Sequence, residues 1–77
     1  MLLREMEPGQ FGRVVSFRPG SRDYRARLFS LGLLPGTEFE ITRVAPLGDP
    51  VEIKVRGSQI SVRKQEIEIV EVEVKEP

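Results

Sequence analysis

The chain of 77 residues has no cysteine, no histidine and no tryptophan. Lack of cysteine rules out a disulfide framework and any thiolate metal ligand. It also suits a reducing compartment, so a cytoplasmic location is expected. Lacking histidine as well, the chain has no Ser–His or Cys–His nucleophilic pair and no imidazole–zinc site. Long apolar runs are missing too. None approaches the roughly 20 residues that cross a bilayer as a helix, so no membrane insertion is expected. The opening Met1-Leu2-Leu3-Arg4-Glu5-Met6-Glu7 is too short and too acidic for a signal peptide, and a soluble protein is expected. The glycines form neither a Gly-x-Gly-x-x-Gly nor a Gly-x-x-x-x-Gly-Lys phosphate loop.

The acids that are present do not repair these losses. Glu38 and Glu40, like Glu71 and Glu73, alternate with apolar residues, which puts them on the solvated side of strands with no pocket around them. The chain is therefore read as a non-enzyme. Asp49, Glu52 and the glutamates near the C-terminus offer only oxygen ligands, without the spacing of a dedicated cage. No cofactor and no dedicated metal site are expected; the sequence leaves open whether a divalent ion binds weakly at the surface.

Net charge is also absent: 12 basic residues offset 12 acidic ones. The distribution is uneven. Residues 1–36 carry a balance of +3, residues 37–65 one of +1, and residues 66–77 one of −4. Overall neutrality argues against nucleic-acid binding, which relies on clustered Lys and Arg. The acidic end reads as the solvated face of an edge strand, and Arg18, Arg22, Arg25 and Arg27 as a solvated helix face. Aromatics are few. Phe11, Phe17, Tyr24, Phe29 and Phe39 are mostly required for a core, leaving no aromatic-lined groove for a proline-rich peptide and no stacking platform for RNA.

What the sequence does have is alternation, punctuated by turns. After Pro8-Gly9, residues 10–17 read as a strand with Val14, Val15 and Phe17 apolar, closed by Arg18-Pro19-Gly20. Ser21 is a candidate N-cap, with Asp23 in the first turn. Tyr24, Leu28 and Leu31 make one helical stripe; Gly32 fits the C′ position and Pro35 stops continuation, so the helix spans about residues 22–31. Phe29 lies off the stripe and is expected to pack beneath Leu2, Leu3 and Met6. Residues 37–45 form a second strand with Phe39 and Ile41 inward, and a phase break at Thr42-Arg43-Val44-Ala45 predicts a bulge. Residues 51–55 and 60–63 bracket a hairpin. A type II′ turn on Gly57-Ser58 would pair Val55 with Ile60, Ile53 with Val62, Glu52 with Arg63 and Lys54 with Ser61. Residues 64–67 form one tight turn, and residues 68–75 a last strand with Val70, Val72 and Val74 apolar, fraying at Lys75-Glu76-Pro77. About five short strands with one helix after the first fit a small, partly open barrel in a single domain, residues 1–77.

Two stiff corners interrupt this pattern: Gly32-Leu33-Leu34-Pro35-Gly36 and Ala45-Pro46-Leu47-Gly48-Asp49-Pro50. Proline and glycine fix both, yet each carries leucine where a polar residue would be easier to hydrate. Leu33, Leu34, Pro46 and Leu47, with Gly48, and edged by Asp49 and Arg63, are the candidate partner-binding residues. Stiff loops lose little entropy on docking. Leu33 is expected to turn inward as a plug, and Leu47 is the best candidate for exposure.

Arg27-Leu28, Leu31-Gly32-Leu33-Leu34-Pro35-Gly36, the 45–50 segment and Val62-Arg63-Lys64 occur in an order that resembles the FeoA family of ferrous-iron transport accessory proteins, from about Pro8 to Val74. The resemblance implies an SH3-like barrel with its helix after the first strand. It also implies a partner, the cytosolic GTPase region of the FeoB-type membrane iron transporter. The alternative is the SH3-like C-terminal module of a metal-dependent transcription regulator. Starting at Met1 without a helix-turn-helix, the chain would then need a further domain. Weak self-association through the Val70, Val72, Val74 edge is a third expectation.

Overall fold

Alternating apolar and charged residues lay down five strands: β1 (Phe11–Phe17), β2 (Glu38–Val44), β3 (Val51–Val55), β4 (Ser58–Val62) and β5 (Val70–Lys75). Helix α1 (Arg22–Ser30) follows β1, and a single-turn helix α2 (Lys64–Ile67) joins β4 to β5. A 3-10 turn over Leu3–Glu5 precedes β1. The computed structural model describes residues 1–20 and 22–75; the expected N-cap Ser21 and the terminal Glu76 and Pro77 lie outside them.

The strands form one antiparallel sheet in the order β4-β3-β2-β1-β5, with β4 and β5 at its two ends. Its curvature has visible causes. The β2–β3 register shifts between Ile41 and Arg43, where the sequence broke phase. A second irregularity, between Val14 and Ser16 in β1, leaves Val15 exposed. Bulges of this kind bend a strand and raise its twist. Inward positions then converge on a core of Val14, Phe39, Ile41, Ile53, Val62 and Val70, closed by Leu28 and Leu33 on one side and by Leu3, Met6 and Ile67 on another.

Helix α1 ends as its sequence requires. The Leu33 N–H donates to the Leu28 carbonyl and the Gly32 N–H to the Phe29 carbonyl, both at 3.0 Å. These are the two bonds of a Schellman cap, with Gly32 in the left-handed region at φ 97°. Leu28 and Leu33 supply its apolar contact, and neither side chain is accessible. The stripe is narrower than its spacing suggests: Leu28 is buried and Leu31 half-buried, but Tyr24 is exposed. Phe29 does not lie beneath the N-terminal segment. It is 41% exposed and tilts against Phe17, ring centroids 5.2 Å apart. Phe39 is the buried aromatic, while Phe11 and Phe17 are half-buried. The core therefore uses fewer aromatic rings than expected.

The hairpin differs from the expected one by one turn position. Val55 faces Ser58, Ile53 faces Ile60 and Val51 faces Val62, while Glu52 faces Ser61 and Lys54 faces Gln59. The corner residues are Arg56 at φ 51° and Gly57 at φ 82°. Two positive φ values define a type I′ turn, whose twist matches that of the flanking strands. Val51 and Ile53 still meet apolar residues and Val55 now faces Ser58, yet the buried face is kept, because every pairing moved by two and side chains repeat every second residue.

Candidate partner-docking loop

The loop joining β2 to β3 is fixed at three points. The Gly48 N–H donates to the Ala45 carbonyl at 2.7 Å, closing a turn with Pro46 and Leu47 at its corners. The Ala45 N–H donates to the Pro50 carbonyl at 3.1 Å, tying the loop's ends together. From outside, the Lys64 N–H at the start of α2 donates to Asp49 Oδ1 at 3.1 Å. The Asp49–Pro50 peptide is cis. So held, the turn presents Leu47 to solvent with 92% of its surface accessible. No packing reason places a leucine there, since Leu47 contributes nothing to the core.

The candidate residues do not form one patch. The 32–36 corner enters β2 and the 45–50 loop leaves it, so at about 3.3 Å per residue roughly 20 Å of strand separates them. Leu33 is fully buried as a plug against Leu28 and offers no surface to a partner. Leu34 is half-buried, and its carbonyl accepts from the Thr37 N–H in the turn that carries Pro35 and Gly36. Pro46, Leu47, Gly48 and Asp49 stay together on the loop. Arg63 comes near them: Asp49, Pro50, Ser61, Arg63 and Arg27 line one cleft of about 360 Å³.

On the other side of Leu47 lies a smaller cleft, about 190 Å³, between the loop and the N-terminal 3-10 turn. Leu3, Met6, Val44, Val51 and Ile67 line it together with Leu47, and Arg4, Glu5 and Lys64 stand around it. Sequence reasoning missed this cleft. Its walls come from three separate stretches, residues 3–6, 44–51 and 64–67, and no local spacing announces them.

Glu66 was also missed. It reads as one of the solvated tail glutamates, yet its side chain is only 4% exposed. Arg27 Nη1 donates to both carboxylate oxygens at 2.6 Å, and the Arg63 N–H donates to Oε1 at 2.8 Å. Glu66 thus caps α2 from its third position and binds α1 to the end of β4. The spacing Arg63-x-x-Glu66 hides the cap, because a capping box normally opens on Ser or Thr. Arg27 consequently belongs to this joint. Two other arginines face the acidic strand: Arg18 pairs with Glu71 and Arg13 with Glu73.

Among the described residues no cluster of three or more Asp and Glu could hold a metal ion, and no helix is long and apolar enough to cross a membrane.

A FeoA domain model matches residues 1–74. The chain belongs to the FeoA family. FeoA from Chlorobium tepidum shares 35% identity at a TM-score of 0.86, over 96% of this chain and 70% of that one. FeoA from Stenotrophomonas maltophilia, described as a procaryotic SH3 domain protein and solved with zinc, shares 25% identity at a TM-score of 0.80, over 95% and 89%. IdeR from T. acidophilum superposes at a TM-score of 0.88 with 23% identity, over 97% of this chain but 34% of that one; this likeness is one of fold. The FeoA assignment gives the five-stranded sheet its type, SH3-like with a helix after β1, and associates the protein with ferrous iron transport.

Proposed function

We propose that this FeoA protein is an adaptor of ferrous-iron uptake. In this reading it docks on the cytosolic GTPase region of a FeoB-type transporter in the cytoplasm, through the 45–50 loop, and modulates it without catalysing a reaction. The observation that carries the reading is Leu47, a fully solvated leucine on a loop pinned by three hydrogen bonds. Exposure of one apolar side chain is ordinary, but a rigid mount removes most of the entropic cost of binding through it. Pro46, Gly48 and Asp49 shape the mount, and Arg63 lies beside it. The S. maltophilia relative, offered as a candidate ferrous iron transport activating factor, fits the same role. Modulation further requires that docking favour one state of the transporter over another, since a partner with equal affinity for both shifts nothing.

Leu47→Asp tests the contact. The loop's hydrogen bonds are all made by its backbone and by Asp49, so circular dichroism and urea midpoint should be unchanged. Loss of an interface anchor typically costs about 2 kcal/mol or more, a roughly 30-fold weaker Kd by calorimetry. Unchanged affinity would remove the loop from the interface. The IdeR-like fold keeps a second reading in play, a barrel module of a metal-dependent regulator. Deleting the gene separates them: lost ferrous uptake supports the adaptor, derepressed metal-responsive genes the regulator.

A further inference from the structure

The cleft beside Leu47 has a definite chemistry. Its apolar lining is the underside of the core: Leu3, Met6, Val51 and Ile67 are all buried residues whose outer surfaces meet there. At about 190 Å³ it falls below the roughly 300–1,000 Å³ of small-molecule sites, and suits a single apolar side chain.

The charges around it are not balanced. Glu5 stands at the cleft; its Oε1 accepts from the Leu2 N–H at 2.7 Å, and it keeps its negative charge. Asp49, on the adjoining side of the loop, is held by the Lys64 N–H. The side chains of Arg4 and Lys64, and of Arg63 in the neighbouring cleft, take part in none of the ion pairs among the described residues. Elsewhere Arg13, Arg18, Arg27, Arg43 and Lys75 each have a glutamate, whereas Arg22, Arg25, Lys54 and Arg56 also take part in none of these ion pairs. Around the protruding leucine, Arg4, Arg63 and Lys64 stand against the carboxylates of Glu5 and Asp49, a local excess of positive charge in a chain whose net charge is zero.

We propose that this cleft receives one apolar side chain from an acidic segment of the transporter, with carboxylates on either side of that residue meeting Arg4 and Lys64 and Leu47 covering it from the loop. This deepens the adaptor reading and rests on it. Charge complementarity favours the acidic segment: a basic one would set like charges against Arg4 and Lys64, which is costly across an interface, and a neutral one would gain nothing from them. The apolar residue explains why Leu47 protrudes. It walls a pocket that is incomplete until a side chain fills it.

The test uses the full-length FeoB-type transporter from the same genome, in detergent or nanodiscs, titrated with four forms of this protein at low and at high ionic strength. These are wild type, Leu47→Asp, the double variant Arg4→Glu with Lys64→Glu, and the double variant Arg22→Glu with Arg25→Glu. The last makes the same change in net charge on the flank of α1 turned away from Arg27. The expected result is binding at least about tenfold weaker at low salt for the Arg4, Lys64 variant, with the salt dependence flattened. The Arg22, Arg25 variant should bind like wild type. If Leu47→Asp abolishes binding while the Arg4, Lys64 variant binds and responds to salt like wild type, the acidic partner is wrong and the loop contact stands. If the two double variants lose equally, only overall charge matters and the assignment of the cleft falls. If Leu47→Asp and the Arg4, Lys64 variant both bind normally, the loop reading and the cleft fall together.

Discussion

A carboxylate withdrawn almost wholly from water must recover its solvation from fixed donors, or its burial destabilises the fold. Glu66 recovers it from two sources, the Arg27 guanidinium and the Arg63 N–H, and so ties α1, α2 and the end of β4 together. Arg27 is itself about half exposed, its side chain at 46%, so solvent screens part of the attraction. Glu66→Ala is therefore expected to cost about 2 kcal/mol, most of it from orphaning the Arg63 N–H and the inner face of Arg27. Glu66→Gln keeps an acceptor for the N–H and should lose about half as much. Glu73→Ala, which removes a pair exposed on both sides, should stay within about 0.5 kcal/mol. Urea titration of the three variants checks the ranking; equal losses for Glu66→Ala and Glu73→Ala would show that burial of Glu66 carries no energetic weight.

At the scale of elements, the β3–β4 hairpin separates what pattern determines from what it leaves open. Alternation assigned Ile53, Val55 and Val62 to the core face, and they are there. It could not choose between pairings displaced by two, because both keep that face. Turn geometry breaks the tie, and the decisive fact is an arginine in the left-handed region at φ 51°, a position that Asn or Gly fills more readily. Arg56→Asn should thus stabilise the protein, by up to about 1 kcal/mol, with amide exchange in β3 and β4 slowed accordingly. Were Gly57-Ser58 the corner, position 56 would sit in extended strand and Asn would weaken it; a lowered melting temperature for Arg56→Asn would favour that register. The same division holds elsewhere. The phase break at Thr42 announced a bulge and the Gly32-x-x-Pro35 spacing announced the helix end, since both are local. That Phe29 meets Phe17, and that Leu3 reaches Ile67, depends on how distant segments are brought together. Exposure of Leu47 was legible from a leucine set on a corner fixed by proline and glycine, whereas the cleft beside it was not.

For the whole molecule the N-terminal segment does more than its length suggests. Leu3 and Met6 are buried in the core, the Val72 N–H donates to the Met1 carbonyl at 2.8 Å, and Leu2 bridges to Glu71. The segment thus closes an open side of the core and covers part of the outer edge of β5, at the sheet's end. An open strand edge is a template for pairing with another chain. Self-association through Val70, Val72 and Val74 is restrained accordingly: Val70 and Val72 are buried, Val74 alone is exposed, and the edge is partly taken. A domain of this size has a stability of roughly 0.05–0.15 kcal/mol per residue, so losing one buried leucine, at about 2–5 kcal/mol, removes a large part of it. Leu3→Ala should accordingly lower the melting temperature steeply. Removing residues 1–6 should go further, adding light scattering that grows with concentration as the β5 edge is bared, while wild type shows none over the same range. A truncated protein that melts cooperatively near the wild-type temperature and stays monomeric would mean that the segment neither completes the core nor guards the edge.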